Sequence, residues 1–296
     1  MNKILKLLIA IVLVANISFA KENSSNQTTQ QLMESAGKRS VELVRAGEIE
    51  KVIQKALRVF QKSQELLFQL THNQIDKAKE NIKEIQKLLE ELQKKYKGKL
   101  DRLPIQVVII EVAGIDDIKL AEKLVKEVKK LLEENDIPAA RDILNALRNE
   151  IVIETHYLPL EIYKDTIDLV AKFIEKNNIQ KAVETLNIAL GTIEIEQTII
   201  PKPIAEAVLL VQDAKARFKT DKKSAIKLLE EAKRKIKLAK VLGYIKTEKE
   251  IEPILKEIES LEKEIEKETA EKVLFESLEK KIKKAQEKAT EVKQRK

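Results

Sequence analysis

The sequence contains two histidines, His72 and His156, and no cysteine, so the side chains that most often bind metals or attack substrates are nearly missing. A zinc shell draws several His, Cys or carboxylate ligands from matched spacings, and two isolated imidazoles without a thiolate do not supply one. No Ser/His/Asp or Cys/His arrangement stands at a spacing that would point to nucleophilic catalysis. The glycines are scattered singly, which leaves no loop to cradle a phosphate. Carboxylates are plentiful, but they fall on Lys-rich helix faces, where surface pairing is the ordinary outcome. Catalytic, cofactor-binding and metal-binding residues are therefore expected to be none, no cofactor is expected, and the chain is expected not to be an enzyme. His156, on the outer face of a strand, is expected to be solvated or paired with a carboxylate.

A second candidate chemistry is electrostatic. The block AKRKIKLAK (Ala232 to Lys240) sets Lys233, Lys237 and Lys240 on neighbouring turns beside an apolar stripe of Ala232, Ile236 and Ala239. Anionic lipid or nucleic acid could use such a block. It lacks interleaved aromatics and follows Glu230 and Glu231, so it reads as a solvated face, and nucleic acid is not expected as a partner.

What remains is binding through backbone and apolar surface. Ile151, Ile153, Thr155 and Tyr157 alternate with Val152, Glu154 and His156, and Ile193, Ile195, Gln197 and Ile199 alternate with Glu194, Glu196 and Thr198. A period of two marks half-exposed strands. Their edges, Ile151, Ile153, Thr155, Tyr157, Ile193, Ile195, Gln197 and Ile199, are the candidate partner-binding residues, because an open strand edge can accept another chain.

These strands belong to a duplicated unit. NDIPAARDILNALRNEIVIETHYLPLEI from Asn135 and NNIQKAVETLNIALGTIEIEQTIIPKPI from Asn177 align 42 residues apart without a gap. Each copy reads as helix, strand, proline, helix. Ala140 and Ala182 supply a small side chain where helices approach closely, and Pro159 and Pro201 turn each strand into the next helix. TDKKSAIKLLEEAKRKIKLAKVLGY (Thr220 to Tyr244) echoes the helix with Ala225 and Leu229 but no strand, and Gly243 marks its end. A period this long with an inserted strand does not fit a helical solenoid.

Around the repeat, Ile49 to Leu70 and Gln74 to Tyr96 carry apolar residues at three- and four-residue steps and form a helical hairpin across a THN link. LPIQVVIIEVAG (Leu103 to Gly114) is β-branched and nearly all apolar, so it reads as the central strand, buried on both faces. Asp116 then caps a helix reaching Asn135. Toward the end, Ile251, Ile254, Ile258, Leu261 and Ile265, then Leu278, Ile282, Ala285, Ala289 and Val292, form heptad-like seams that either fold back or pair with another chain. Thr247 and Glu250 offer a capping box, with Pro253 placing regular helix from Glu252. The fold class expected is mostly α with a small β-sheet (α+β): antiparallel helical hairpins around a three-stranded sheet, plus long C-terminal coiled-coil-like helices.

The first residues have a secretory layout: Lys3 and Lys6, an apolar run from Leu7 to Ala15, then Ser18, Phe19 and Ala20. Cleavage after Ala20 is expected, which would leave an exported, periplasmic protein touching membrane only through the signal peptide before cleavage. The expected organisation is signal peptide 1–20, flexible tether 21–38, helical domain 39–245 and charged helical extension 246–296. The Lys/Glu-rich composition favours long exposed helices and is of the kind that hot environments select.

The order of LPIQVVIIEV, PAARDILNAL, YLPLEI, IIPKPIAEAVLLVQDAKARF and SAIKLLEEAKRKIKLAKVLGY resembles the YfdX family of exported bacterial proteins, over about Arg39 to Lys267. Its most specific piece is the Ala-rich helix that closes on Leu242, Gly243 and Tyr244. The resemblance brings no catalytic motif. It implies a periplasmic, mostly helical, self-associating protein tied to stress, including heat resistance, and the stretch from about Thr269 lies beyond the family's usual pattern.

Three functions follow as expectations: a stress-related binding or chaperone-like factor for unfolded clients, a binder of small hydrophobic ligands in a cleft between hairpins, and an oligomeric scaffold joined by the C-terminal helices. A homo-oligomer is expected under each.

Overall fold

The computed structural model describes residues 27–295, with side chains through 294. The expected signal peptide 1–20, its cleavage point at Ala20, and positions 21–26 of the expected tether lie outside the described residues.

Helix α1 (Thr29–Ile49) begins inside the stretch expected to be tether. Thr28 and Gln31 close a reciprocal cap: the Thr28 amide donates to Gln31 Oε1 at 2.8 Å, and the Gln31 amide donates to Thr28 Oγ1 at 3.3 Å. Two amides that would otherwise lack partners are satisfied. Leu32 and Ala36 then pack into a core. The polar run is therefore a helix start, and 29–38 is ordered by packing.

Helices α2 (Gln54–Thr71) and α3 (Ile75–Tyr96) form the expected hairpin. Strand β1 (Arg102–Val112) follows, then α4 (Ile118–Glu133) and α5 (Ile137–Leu147), a second hairpin. Asp117 caps α4 by accepting from the Leu120 amide, so Asp116, the expected cap, is released for another role. Next come β2 (Glu150–Pro159), α6 (Leu160–Glu175), α7 (Ile179–Gly191) and β3 (Glu194–Pro201). The last elements are α8 (Lys202–Arg217), α9 (Lys222–Val241), α10 (Glu248–Glu266), α11 (Lys272–Ala289) and β4 (Glu291–Arg295).

The two sequence copies fold alike. The residues shared at their start, Asn135 and Asn177, take positive φ (60° and 53°) and close the preceding helix, while Asp136 and Asn178 cap the next one through their side chains. Pro159 and Pro201 end their strands, and a helix begins at the next residue in both copies.

The fold is α+β, mostly helical around a four-stranded antiparallel sheet of order β1-β2-β3-β4, one strand more than expected. The Leu160 amide bonds the Asp101 carbonyl where β1 meets β2, and the Lys202 amide bonds the Asn149 carbonyl where β2 meets β3. This order corrects two expectations. β1 is an edge, and within it Gln106 and Ile110 are exposed, while β2 and β3 are interior. Apolar content did not report strand order, because a side chain's burial depends on what covers the sheet face and not on the ladder beside it.

The chain divides into two compact units. The first gathers the described residues to Gly47, Ile109–Val152 and Thr198–Glu291. Its core is built on α8, whose Pro203 to Val211 are all buried, packed by α9 and α11. The C-terminal seams belong to this core: Ile251, Ile254, Ile258, Leu261, Ile265, Phe275, Leu278 and Ile282 join Leu32, Leu210 and Leu228. The extension therefore folds back. The Thr247/Glu250 capping box forms, and α10 runs from Glu248 through Pro253 rather than starting at Glu252. The second unit, Glu48–Val108 with Ile153–Gln197 and the described residues from Val292, has its own core of Leu66, Ile85, Leu89, Leu158, Tyr163 and Leu186 among others.

Candidate functional site

The strand residues proposed as open edges are not open. Ile151, Ile153 and Thr155 are buried, Tyr157, Ile193, Ile195, Gln197 and Ile199 are half-buried, and all but Ile193, which lies just before β3, belong to strands inside the sheet. An interior strand has no free ladder to offer another chain. Arg102 lies over the Tyr157 ring at 4.2 Å and pairs with Glu196 at 2.5 Å and Glu194 at 3.2 Å. Burial, then the Glu196 charge, pushes the Tyr157 hydroxyl up to about 12. Gln197 donates to Glu154 Oε2 at 2.9 Å, and His156 Nε2 lies 3.2 Å from Glu154 Oε1, the carboxylate partner expected for it. His72 stacks on Phe68 at 3.9 Å.

Two other features could do work, and both lie in the first unit. One is the α4–α5 hairpin. Among the described residues, four of the eleven large exposed apolar side chains fall on it, namely Leu120, Leu132, Ile137 and Leu144. The repeat explains what is unusual. Leu144 and Leu186 hold equivalent positions, yet Leu144 is 49% exposed and Leu186 0%. In the second copy, α7 is packed by both α6 and α2. In the first copy, α5 packs chiefly on α4, and no counterpart of α2 among the described residues covers it. Only Ala140 and Leu147 of α5 are buried.

The other feature is a charged cavity of about 510 Å³ between α1, the end of β1 with its following loop, Asn149, α8 and α9. Lys235 of the basic block of α9 lines it, while on the face expected to be solvated Lys237 is exposed and Lys233 and Lys240 are half-buried. Lys235 is 6% exposed and pairs with Glu206 (3% exposed) at 2.5 Å and Asp116 at 2.6 Å. Lys202 pairs with Glu111 and lies 3.8 Å from Glu206. Arg234 bonds Asp116 Oδ2 at 2.6 Å and Glu231 Oε1 at 2.7 Å. Lys233 and Lys240 are also engaged, with Glu259 and Glu248. The result is one alternating chain, Glu111–Lys202–Glu206–Lys235–Asp116–Arg234–Glu231. Burial holds the Glu206 carboxyl above its ordinary range despite its lysine neighbours. Burial also acts to raise Asp116, but the hydrogen bonds from Lys235 and Arg234 outweigh it and lower its pKa.

Two glycines make room for this arrangement. A Cβ on Gly37 of α1 would lie 2.5 Å from Glu206 Oε1 and 2.8 Å from Lys202 Cε, and one on Gly114 would run into the Arg148 carbonyl. Sequence reasoning missed Lys202, Glu206 and Asp116, since a lone charge in an amphipathic pattern does not announce its partner. The available signal was Glu206 itself, a carboxylate inside the apolar run PIAEAVLLV.

These features define a class: a mostly helical α+β protein with a small antiparallel sheet, a partly uncovered helical hairpin and a charge chain, buried at Glu206 and Lys235, lining a cavity. Residues 59–199 match the family model of the YfdX protein. The span begins within α2, ends within β3 and stops short of the α9 block that carried the most specific part of the resemblance. Among solved structures the chain is similar to a crystal form of Salmonella Typhi YfdX, at 13% identity and a TM-score of 0.35, over 49% of this chain and 90% of that one. No curated protein matches the sequence.

Proposed function

We propose that this protein is an exported, non-catalytic, chaperone-like binding factor of the YfdX type that receives partly unfolded, stress-damaged chains on its α4–α5 hairpin. The observation that carries this reading is the contrast between Leu144, open, and its repeat counterpart Leu186, covered by α2. The occupant is an amphipathic segment that supplies to α5 what α2 supplies to α7, a helix laid into an apolar groove. Export to the periplasm rests on the N-terminal secretory layout. A homo-oligomer is part of the proposal, but the C-terminal seams that would have joined protomers are used within the first unit, so a scaffold built on them loses its support.

The experiment is suppression of heat aggregation of an unrelated enzyme at stoichiometric amounts of the mature protein. Wild type is expected to slow aggregation, and a Leu120→Glu/Leu144→Glu variant, folded by circular dichroism, is expected to lose most of that protection. Failure of wild type to protect, or full protection by the variant, overturns the reading. A second reading, a small-molecule binder, is favoured by the cavity alone; its ligands would be charged rather than hydrophobic, because the walls are.

A further inference from the structure

β1 is an outer strand of the sheet, and its free edge has a definite alternation. Just before it, the Asp101 carbonyl accepts from the Leu160 amide on the β2 side; further on, the Pro104 carbonyl accepts from the Ile53 amide at 2.8 Å on the side away from β2. Every second residue of a strand points its N–H and C=O the same way, so Leu103, Ile105, Val107, Ile109 and Glu111 bond β2. Gln106, Val108, Ile110 and Val112 point their backbone groups outward. In the register set by Asp101 and Leu160, Glu111 stands beside Glu150, the first residue of β2, so no bulge shifts the alternation. Among the described residues no hydrogen bond reaches the outward groups of these four. Open edges are ordinarily blunted by lysine, proline or a bulge, and here Pro104 and the Ile53 segment blunt only the start. Beyond them QVVIIEV (Gln106 to Val112) carries one charge, Glu111, which Lys202 engages. The side chains agree with the backbone. Ile151, Ile153 and Thr155 of β2 are buried, yet their neighbours on β1 in the same register, Ile110, Val108 and Gln106, are exposed, half-buried and exposed.

We propose that two copies of this chain join through β1, paired antiparallel about a two-fold axis at Ile109, so that their two four-stranded sheets become one. This rests on the homo-oligomer of the proposed function and names its joining surface. The edge's own sequence selects a second copy as the occupant. About Ile109, Val108 faces the partner's Ile110 and Gln106 faces the partner's Val112, and every outward residue is bonded. Moving the axis by one residue sets Val112 against the partner's Pro104, whose carbonyl is already taken, or Gln106 against the partner's Gly114, beyond the strand. Glu111 then lies opposite the partner's Val107, so like charges do not meet. Ile109 meets the partner's Ile109 as a pair without mutual hydrogen bonds, where side chains across an antiparallel ladder stand closest. The same strand is used on both protomers, which closes a dimer and leaves neither β1 edge open to a third chain.

The test is sedimentation equilibrium of the full mature protein, with hydrogen exchange read at single amides. Wild type is expected to be a dimer in which the Val108 and Ile110 amides are protected. Ile110→Pro removes an outward N–H and no bond to β2, and proline is accepted on an outer strand, so this variant is expected at half the mass with unchanged circular dichroism. Ile110→Lys keeps the N–H but puts a charge on the edge, and it too is expected to be monomeric. A monomeric wild type, a dimer that survives both variants, or a dimer whose Val108 and Ile110 amides exchange as fast as in the variants overturns the proposal. Protection of those amides only when a denatured client is added also overturns it, since the edge would then serve clients. A monomeric wild type sinks the homo-oligomer as well, whereas a dimer indifferent to both variants leaves it standing on another surface. Client capture is separate: Leu120→Glu/Leu144→Glu must remain dimeric, and each reading can fail without the other.

Discussion

Glu206 is the residue on which the first unit's charge balance turns. It is buried among apolar neighbours on α8, with Lys235 at 2.5 Å, and burial still holds its pKa above the ordinary 4.5. Below 4.5 folded and unfolded chains both keep the proton; as pH rises toward the raised folded value, the unfolded chain releases it first and gains relative stability. Wild type is therefore expected to lose stability relative to Glu206→Gln as pH rises from about 4 to about 7, measured by urea denaturation at several pH values. Gly37 gives a second residue-scale outcome. In an exposed helix, Gly→Ala stabilises by roughly 1 kcal/mol, but here the new Cβ meets Glu206 and Lys202. Gly37→Ala is expected to destabilise by about 1–2 kcal/mol in the same assay, the sign of overpacking.

At the scale of elements, the repeat makes its own controls. Leu186→Ala empties a fully buried site in the second unit and is expected to cost about 2–5 kcal/mol, whereas Leu144→Ala, at the equivalent exposed site, is expected to cost less than about 0.5 kcal/mol. Denaturant midpoints of the two variants check this, and equal losses would show that α5 is covered. Removing the cap with Thr28→Ala should cost about 1 kcal/mol and fray the start of α1 in hydrogen exchange. Element type was largely legible because period, proline and asparagine are local signals: Pro159 and Pro201 ended both strands, and Gly243 (φ 82°) ended α9. The spacing of Thr28 and Gln31 carries the cap signal as well, but the polar composition around it masks the helix start. The cavity was not legible, since Asp116, Lys202 and Glu206 are scattered along the chain and only the fold brings them together.

For the whole molecule, the decisive feature is that α10 and α11 complete the first unit's core. Phe275 packs on Phe218 with ring centroids 4.9 Å apart, and Leu278 and Ile282 are fully buried. Deleting Thr269 to Lys296 removes these buried Phe275, Leu278 and Ile282 side chains together, a loss exceeding about 5 kcal/mol. Cooperative unfolding of the first unit is expected to disappear in calorimetry, while the second unit, with a separate core, should retain its transition. The sequence by itself determined the helices, the duplicated helix-strand-proline-helix unit and the α+β class, because these follow from periodicity and backbone chemistry within a few residues. Only the tertiary structure decided the strand order, the return of the C-terminal helices, the covering of Leu186 but not Leu144, and the charge chain around Glu206. Those depend on which surfaces meet, and a residue's own type and neighbours in sequence do not specify what lies across from it.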